Sequence, residues 1–215
     1  MIMAFYCRLS YNSNGWQTPS GFNGKSTNPN NHEFDYGFGF EEWLFNGRRF
    51  KDDNGKNWHI GYVDPLRDFD HQNQVKQDLV LYTLLNNGNG TNRYVVCKIS
   101  KDEWDYIDVN EYNTFVVNNP QHIQIMRQEL INTMTILRPN IITNRFNQQL
   151  NMQSPLGVGN SEFRLFNIKF LNEDLKPNLV EINNLTPCPD WHINQLQMFR
   201  LYNSQNFNHN NCKKQ

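Results

Sequence analysis

Apolar and polar positions along the chain divide it into short strands, two helices and long polar connections. Phe5 to Leu9 predicts a first strand, Trp58 to Val63 a second, and Asp78 to Leu85 and Arg93 to Ile99 a hairpin closed by the turn-rich Asn86-Asn87-Gly88-Asn89-Gly90-Thr91. From Pro120 the period changes. Ile123, Met126, Leu130, Met134 and Leu137 recur at three and four, as an amphipathic helix requires, and Pro139 ends it. Phe163 to Phe170 alternates again, with Leu165, Asn167 and Lys169 on one side. A last helix begins at Asp190, a residue suited to an N-cap, and carries Ile193, Leu196 and Phe199 on one face.

Between the first strand and Tyr36 runs a polar, glycine-punctuated loop, residues 11–36. Irregular stretches longer than about 15 residues inside a compact domain are usually functional or disordered. The presence of Trp16 favours function. The run Tyr36-Gly37-Phe38-Gly39-Phe40-Glu41-Glu42-Trp43-Leu44-Phe45 follows, with two glycines loosening the backbone before a short helix. The expected fold is α+β: a small curved β-sheet or barrel flanked by two or three helices. One domain spans 1–205, and 206–215 form a frayed tail.

Composition changes this picture in two respects. Charged residues make up 19%, hydrophobic ones 38%, and about one residue in six is asparagine, so a motif built on a single Asn carries little weight. The formal net charge of −1 excludes nucleic-acid binding by bulk electrostatics and leaves only local basic patches. Cys7, Cys97, Cys188 and Cys212 lie far apart without CxxC pairing, so free thiols and no metal site are expected. No leader pattern or 18-residue apolar run occurs, which predicts a cytoplasmic protein without a membrane span.

Catalytic motifs fail on spacing. Gly21-Phe22-Asn23-Gly24-Lys25-Ser26-Thr27 has two residues between its glycines where a phosphate-binding P-loop needs four, and it lacks the strand before and helix after. Val180-Glu181-Ile182-Asn183 is similar to the magnesium-binding strand of ATP-grasp ligases, but the match is short and the phosphate-covering loop is missing. The six histidines, among them His59, stand singly, and no nucleophile elbow is present. No catalytic residue and no cofactor is assigned.

Aromatic residues, at 13%, are the informative set. A lone tryptophan usually fills a core. Trp16, Trp43 and Trp58 nevertheless fall in one half of the chain near glycine-rich loops, which raises the alternative of a cage that stacks on a planar ligand. Glu41 and Glu42 read most simply as a solvated helix start, and more sharply as acceptors for a base's amino group. Arg48, Arg49, Lys51 and Lys56 form the densest basic cluster.

The series Asn12-Ser13-Asn14-Gly15-Trp16-Gln17-Thr18-Pro19-Ser20-Gly21, then Gly24-Lys25-Ser26, then Tyr36 to Phe45, resembles the opening of N-terminal specificity modules of bacterial modification-dependent restriction proteins. Such modules are fused to HNH nucleases or to McrB-like motor subunits. A looser likeness continues through Gly61 to Leu66, Leu79 to Thr83 and Phe166 to Phe170, so it covers mainly the first hundred residues. In the broader sense the strings look like PUA, EVE and YTH readers, small barrels that hold a flipped modified base between aromatic rings. One departure is Phe40, where the pattern has His.

The resemblance implies a DNA-binding specificity domain that stacks an extruded base, unmodified, methylated or hydroxymethylated, against some of Trp16, Tyr36, Trp43 and Trp58. Asn14 and Glu42 would read its edge, and Lys25, Arg48 and Arg49 would hold phosphates. Nuclease activity is then expected in a partner or fused domain, a nuclease or motor subunit. Two other classes stay open: a small-molecule enzyme using Glu42, His59 and Asp64, and a protein-interaction module presenting the tryptophans on its surface.

Overall fold

The computed structural model describes residues 3–29, 33–34, 37–52, 54–66, 75–86, 91–137, 165–171, 180–181 and 200–203. Within them the chain is α+β, with two sheets and two helices. The first sheet joins β1 (Met3–Leu9), β4 (Asp78–Asn86), β5 (Thr91–Ile99), β8 (Val180–Glu181) and β9 (Arg200–Asn203) in the order β8-β5-β4-β1-β9. The second joins β2 (Arg49–Lys51), β3 (Asn57–Gly61), β6 (Trp104–Tyr106) and β7 (Ile168–Phe170) in the order β2-β3-β7-β6. Of the curved sheet or barrel expected, the barrel is corrected: among the described residues there are two sheets and no closed cylinder.

Alternation along the strands sets the layers. Phe5, Cys7 and Leu9 on β1 and Leu79 and Leu81 on β4 share one face of the first sheet and meet Trp104, Ile168 and Phe170 of the second. Each such side chain, fully withdrawn from water, contributes about 1.5–3 kcal/mol. The opposite face of the first sheet carries Ala4, Tyr6, Val80, Tyr82 and Val95, also buried.

On its far face the second sheet receives both helices, α1 (Val109–Asn118) and α2 (Pro120–Leu137). There Ile60 packs with Tyr112 and Val116 of α1 and Ile123 and Met126 of α2. Phe50 meets Phe115 edge to face with centroids 5.1 Å apart.

The hairpin β4–β5 and the helix from Pro120 follow the hydrophobic pattern, and Ile123 and Met126 are buried as its period requires. Helix α1 was not foreseen, because its run of β-branched and aromatic residues disfavours a helix. It starts because Asp108 caps it, accepting the Glu111 N–H at 2.8 Å, and because Tyr112 and Val116 lie one turn apart on the buried face. Of the strand expected over 163–170, the described residues show Ile168–Phe170, and residues 163–164 lie outside them. Its alternation does not hold upstream, since Leu165, Phe166, Asn167 and Ile168 are all buried. Asn167 explains this: its side chain accepts the Val63 N–H and donates to the Val63 carbonyl, replacing a ladder rung. The helix expected from Asp190 and the frayed tail lie outside the described residues.

One pairing has functional weight. β1 and β4 run parallel, Ala4 opposite Asp78 through Leu9 opposite Thr83. Their carboxyl ends therefore point the same way, and the loop that follows β1 must turn across both. Parallel strand ends of this kind are where open sheets admit ligands.

Candidate functional site: a polar cleft at the ends of β1 and β4

At those ends the chain forms an open cleft of about 240 Å³ lined by Arg8, Ser10, Tyr11, Asn28, Glu33 and Asn86, among others. Two contacts fix its walls. Thr83 Oγ1 donates to the Leu9 carbonyl at 2.9 Å, tying the strand ends together, and the Asn86 N–H donates to the Gly24 carbonyl at 3.2 Å, fastening the loop to β4. Gly24 has φ +75°, and a Cβ there would lie 2.6 Å from the Tyr11 ring, so glycine is what lets the loop lie against Tyr11.

The floor is built around Ser10. Its N–H and Oγ both lie 2.8 Å from Glu41 Oε1, and its Oγ lies 2.7 Å from Glu33 Oε1. Glu41 reaches this position because the 3-10 turn Phe40–Trp43 brings it back under β1. Gly39 makes room, since a Cβ there would fall 2.4 Å from Ser10 Oγ and 2.6 Å from Glu41 Oε2.

Burial, reinforced by the neighbouring charges of Asp64 and Glu33, pushes the Glu41 carboxyl up to about 7. Asp64 itself accepts from the Tyr62 hydroxyl at 3.1 Å. Glu33 sits near the guanidinium of Arg8, at 3.8 Å.

Beside this floor lies a second buried polar group, which organises the long loop. Lys25 and Glu42 pair at 2.9 Å with side chains almost wholly withdrawn from water. Glu42 accepts from Asn12 Nδ2 at 2.6 Å, from the Ser20 N–H at 3.0 Å and from the Gly39 N–H at 2.8 Å. Lys25 donates to the carbonyls of Gly21 and Gly37. Desolvation raises the Glu42 carboxyl above its ordinary range, opposed chiefly by the Lys25 charge. Five segments of the loop and turn thus converge on one ion pair, which satisfies backbone groups that a buried loop would otherwise leave unpaired.

The three tryptophans expected to form an aromatic cage are not brought together. Trp16 is fully buried in the core between the sheets, its indole N–H donating to the Ser10 carbonyl at 3.0 Å. Its φ of 54° is a conformation that side-chain-bearing residues rarely adopt. Asn12 Oδ1, accepting the Trp16 N–H at 3.0 Å, and the Phe45 N–H, donating to the Trp16 carbonyl at 2.8 Å, hold it there.

Trp43 is buried against the helices, edge-on to Phe38 and beneath the Arg48 guanidinium at 5.7 Å. Trp58 lies on β3 with Lys56 and Lys169 over its ring and its indole N–H on Asp52. Tyr36 lies outside the described residues. For Trp16 and Trp43 the physical reason is burial: an indole removes more apolar area from water in a core than in a rim.

The polar candidates divide similarly. Asn14 is exposed and donates to the Pro19 carbonyl at 3.0 Å, shaping its own turn. Glu42 and Lys25 are spent on each other rather than on a base edge and a phosphate. Arg48 pairs with Glu129 at 2.6 Å, and Arg49 alone of the three expected phosphate contacts is exposed. The enzyme alternative also loses its constellation, since His59 stacks flat on Phe170, 5.3 Å away, while Glu42 belongs to Lys25.

Sequence reasoning missed Arg8, Ser10, Tyr11 and Glu33. The contacts from Ser10 span 23 and 31 residues, and the one signal for them was their place at the end of a strand feeding a long loop.

Among the described residues no group of three or more His, Cys, Asp or Glu side chains is arranged to hold a metal ion, and no helix is long and apolar enough to cross a membrane. Cys7 and Cys97 are both buried, and burial pushes the Cys7 thiol well above its ordinary range. No family model, curated protein or solved structure matches the chain.

Proposed function

We propose that this chain is a DNA-recognition module that takes a single extruded base into the cleft at the ends of β1 and β4. The observation that carries the proposal is the cleft itself. At about 240 Å³ it lies below the roughly 300–1,000 Å³ typical of drug-sized ligands, which suits one heterocycle. Its lining combines a cation at Arg8, an anion at Glu33, amides at Asn28 and Asn86 and an aromatic ring at Tyr11. Those are the elements with which proteins read the edge and face of a flipped base.

The likeness of the first hundred residues to the specificity modules of modification-dependent restriction proteins supports the same reading. In this form the PUA-like comparison rests on the sequence strings, the stacking residue is Tyr11 in place of the tryptophans, and the cleaving or translocating activity resides in a nuclease or motor partner. Extruding a base costs a few kcal/mol, and stacking of about 1–3 kcal/mol together with edge contacts offsets it.

Titration of matched duplexes, unmodified and carrying methyl or hydroxymethyl marks on cytosine or adenine, at two salt concentrations tests the proposal. Saturable binding that Tyr11→Ala and Arg8→Ala weaken supports it. Equal failure of every duplex retires it.

A second reading rests on the raised Glu41 carboxyl beside Ser10, a feature of acid–base sites in enzymes. Turnover of a free nucleoside, abolished by Ser10→Ala, would favour that reading over recognition.

A further inference from the structure

Ser10 Oγ stands within hydrogen-bond distance of two carboxyl oxygens, Glu33 Oε1 at 2.7 Å and Glu41 Oε1 at 2.8 Å. A hydroxyl has one hydrogen and can donate it to only one of them. Were both carboxyls ionised, one oxygen would face the hydroxyl's lone pairs at contact distance with nothing between. The arrangement is complete only when a proton sits on one carboxyl, so that it donates to Ser10 while Ser10 donates to the other.

The surroundings decide which carboxyl holds it. Glu33 opens onto the cleft and lies 3.8 Å from the Arg8 guanidinium. Glu41 is buried, with Asp64 as a like charge on one side. The adjoining Lys25 is already committed to Glu42, and the Tyr62 hydroxyl to Asp64. The proton therefore belongs to Glu41, and the chain of donors runs from Glu41 through Ser10 to Glu33.

We infer that Glu33, Ser10 and Glu41 form a proton relay through which the cleft exchanges one proton for a ligand group that donates a hydrogen bond to Glu33, such as the exocyclic amino group of a nucleobase. When a ligand supplies Glu33 with a donor, the Glu33 carboxylate swings off the Ser10 hydroxyl to meet it, and Ser10 is free to turn its hydrogen to Glu41. The Glu41 anion then has both the Ser10 hydroxyl and the Ser10 N–H, and its proton passes to solvent. No bond other than the O–H is broken and nothing is oxidised. The ligand half of this inference rests on the cleft being the binding site proposed above, whereas the relay belongs to the free protein.

The experiment has two arms. Infrared titration of the free protein, comparing wild type, Glu41→Gln and Ser10→Ala, follows the protonated-carboxyl stretch. The expected result is a band that disappears near neutral pH in wild type and is missing from Glu41→Gln. A wild type without such a band overturns the relay. Ser10→Ala serves as the folded control, because burial still holds the proton on Glu41 there.

The second arm measures calorimetric binding of cytidine, adenosine and the best duplex from the panel in two buffers of different ionisation enthalpy. Below neutrality, release approaching one proton per ligand is expected, with affinity rising up to about tenfold for each unit by which pH increases, and both effects vanish in Ser10→Ala. Uridine, which lacks the amino group, should release fewer protons. Binding without proton release overturns the exchange while leaving DNA recognition standing. Failure of every nucleoside and duplex to bind, with the carboxyl band intact, overturns the recognition reading and the exchange but not the relay.

Discussion

Replacing Glu41 by Gln removes a titrating group and keeps its shape, so it isolates what the buried carboxyl does to stability. In the unfolded chain Glu41 titrates at its ordinary 4.5, and in the folded protein at about 7, through burial first and the charges of Asp64 and Glu33 second. Below 4.5 both states hold the proton and the group costs nothing. As pH rises between the two values, the unfolded chain releases a proton that the folded protein retains, and stability falls by about 1.4 kcal/mol per pH unit. Above 7 the loss is complete, and the interval amounts to about 3 kcal/mol, an appreciable part of the 5–15 kcal/mol by which domains are typically stable.

Glu41→Gln carries no such penalty, so the stability difference between variant and wild type should grow by about 3 kcal/mol from about pH 4.5 to about pH 8. Urea denaturation followed by tryptophan fluorescence measures it, and the buried Trp16, Trp43 and Trp104 provide the signal. Other titrating groups, Glu42 included, cancel in the difference. A gap that stays the same at both ends of that range would show that Glu41 is ionised throughout, and would refute the argument from burial.

Further outcomes follow from individual contacts. Gly39→Ala should lower stability by about 1–3 kcal/mol, because its Cβ would overlap Ser10 Oγ and Glu41 Oε2, and the drop in Tm should be accompanied by loss of the neutral-pH carboxyl titration. Lys25→Met leaves Glu42 buried without its cation and should cost about 3–5 kcal/mol, with Lys25→Met/Glu42→Gln recovering part of the loss; a double variant no more stable than the single would contradict the pairing. Trp16→Phe should reduce stability by removing the indole donor to the Ser10 carbonyl, yet leave DNA affinity at low temperature unchanged, whereas Tyr11→Ala should do the reverse. An affinity loss confined to Trp16→Phe would restore the aromatic cage.

Local patterns in the chain were sufficient for some of its elements, though not for the helix Val109–Asn118 or the short strands of the second sheet. The alternation of β1, the Asn- and Gly-rich connection between β4 and β5 and the three-and-four spacing from Pro120 are short-range signals, and they fix strands, hairpin and helix because each depends on neighbours a few residues away. The same holds for the short turn at Phe40 to Trp43 behind Gly37 and Gly39.

What tertiary structure alone decided was which side chains are spent inside and which remain for a ligand. Trp16, Lys25 and Glu42 look chemically available in the sequence, and each disappears into the interior when the long loop folds back over β1. Ser10, Glu33 and Glu41 carry no motif, and become a site because a parallel β1–β4 pair and a single 3-10 turn bring together positions 23 and 31 residues apart. Residue periodicity reports the burial of a face, whereas the pairing of buried charges depends on distances across the core, and a one-dimensional pattern contains no record of those.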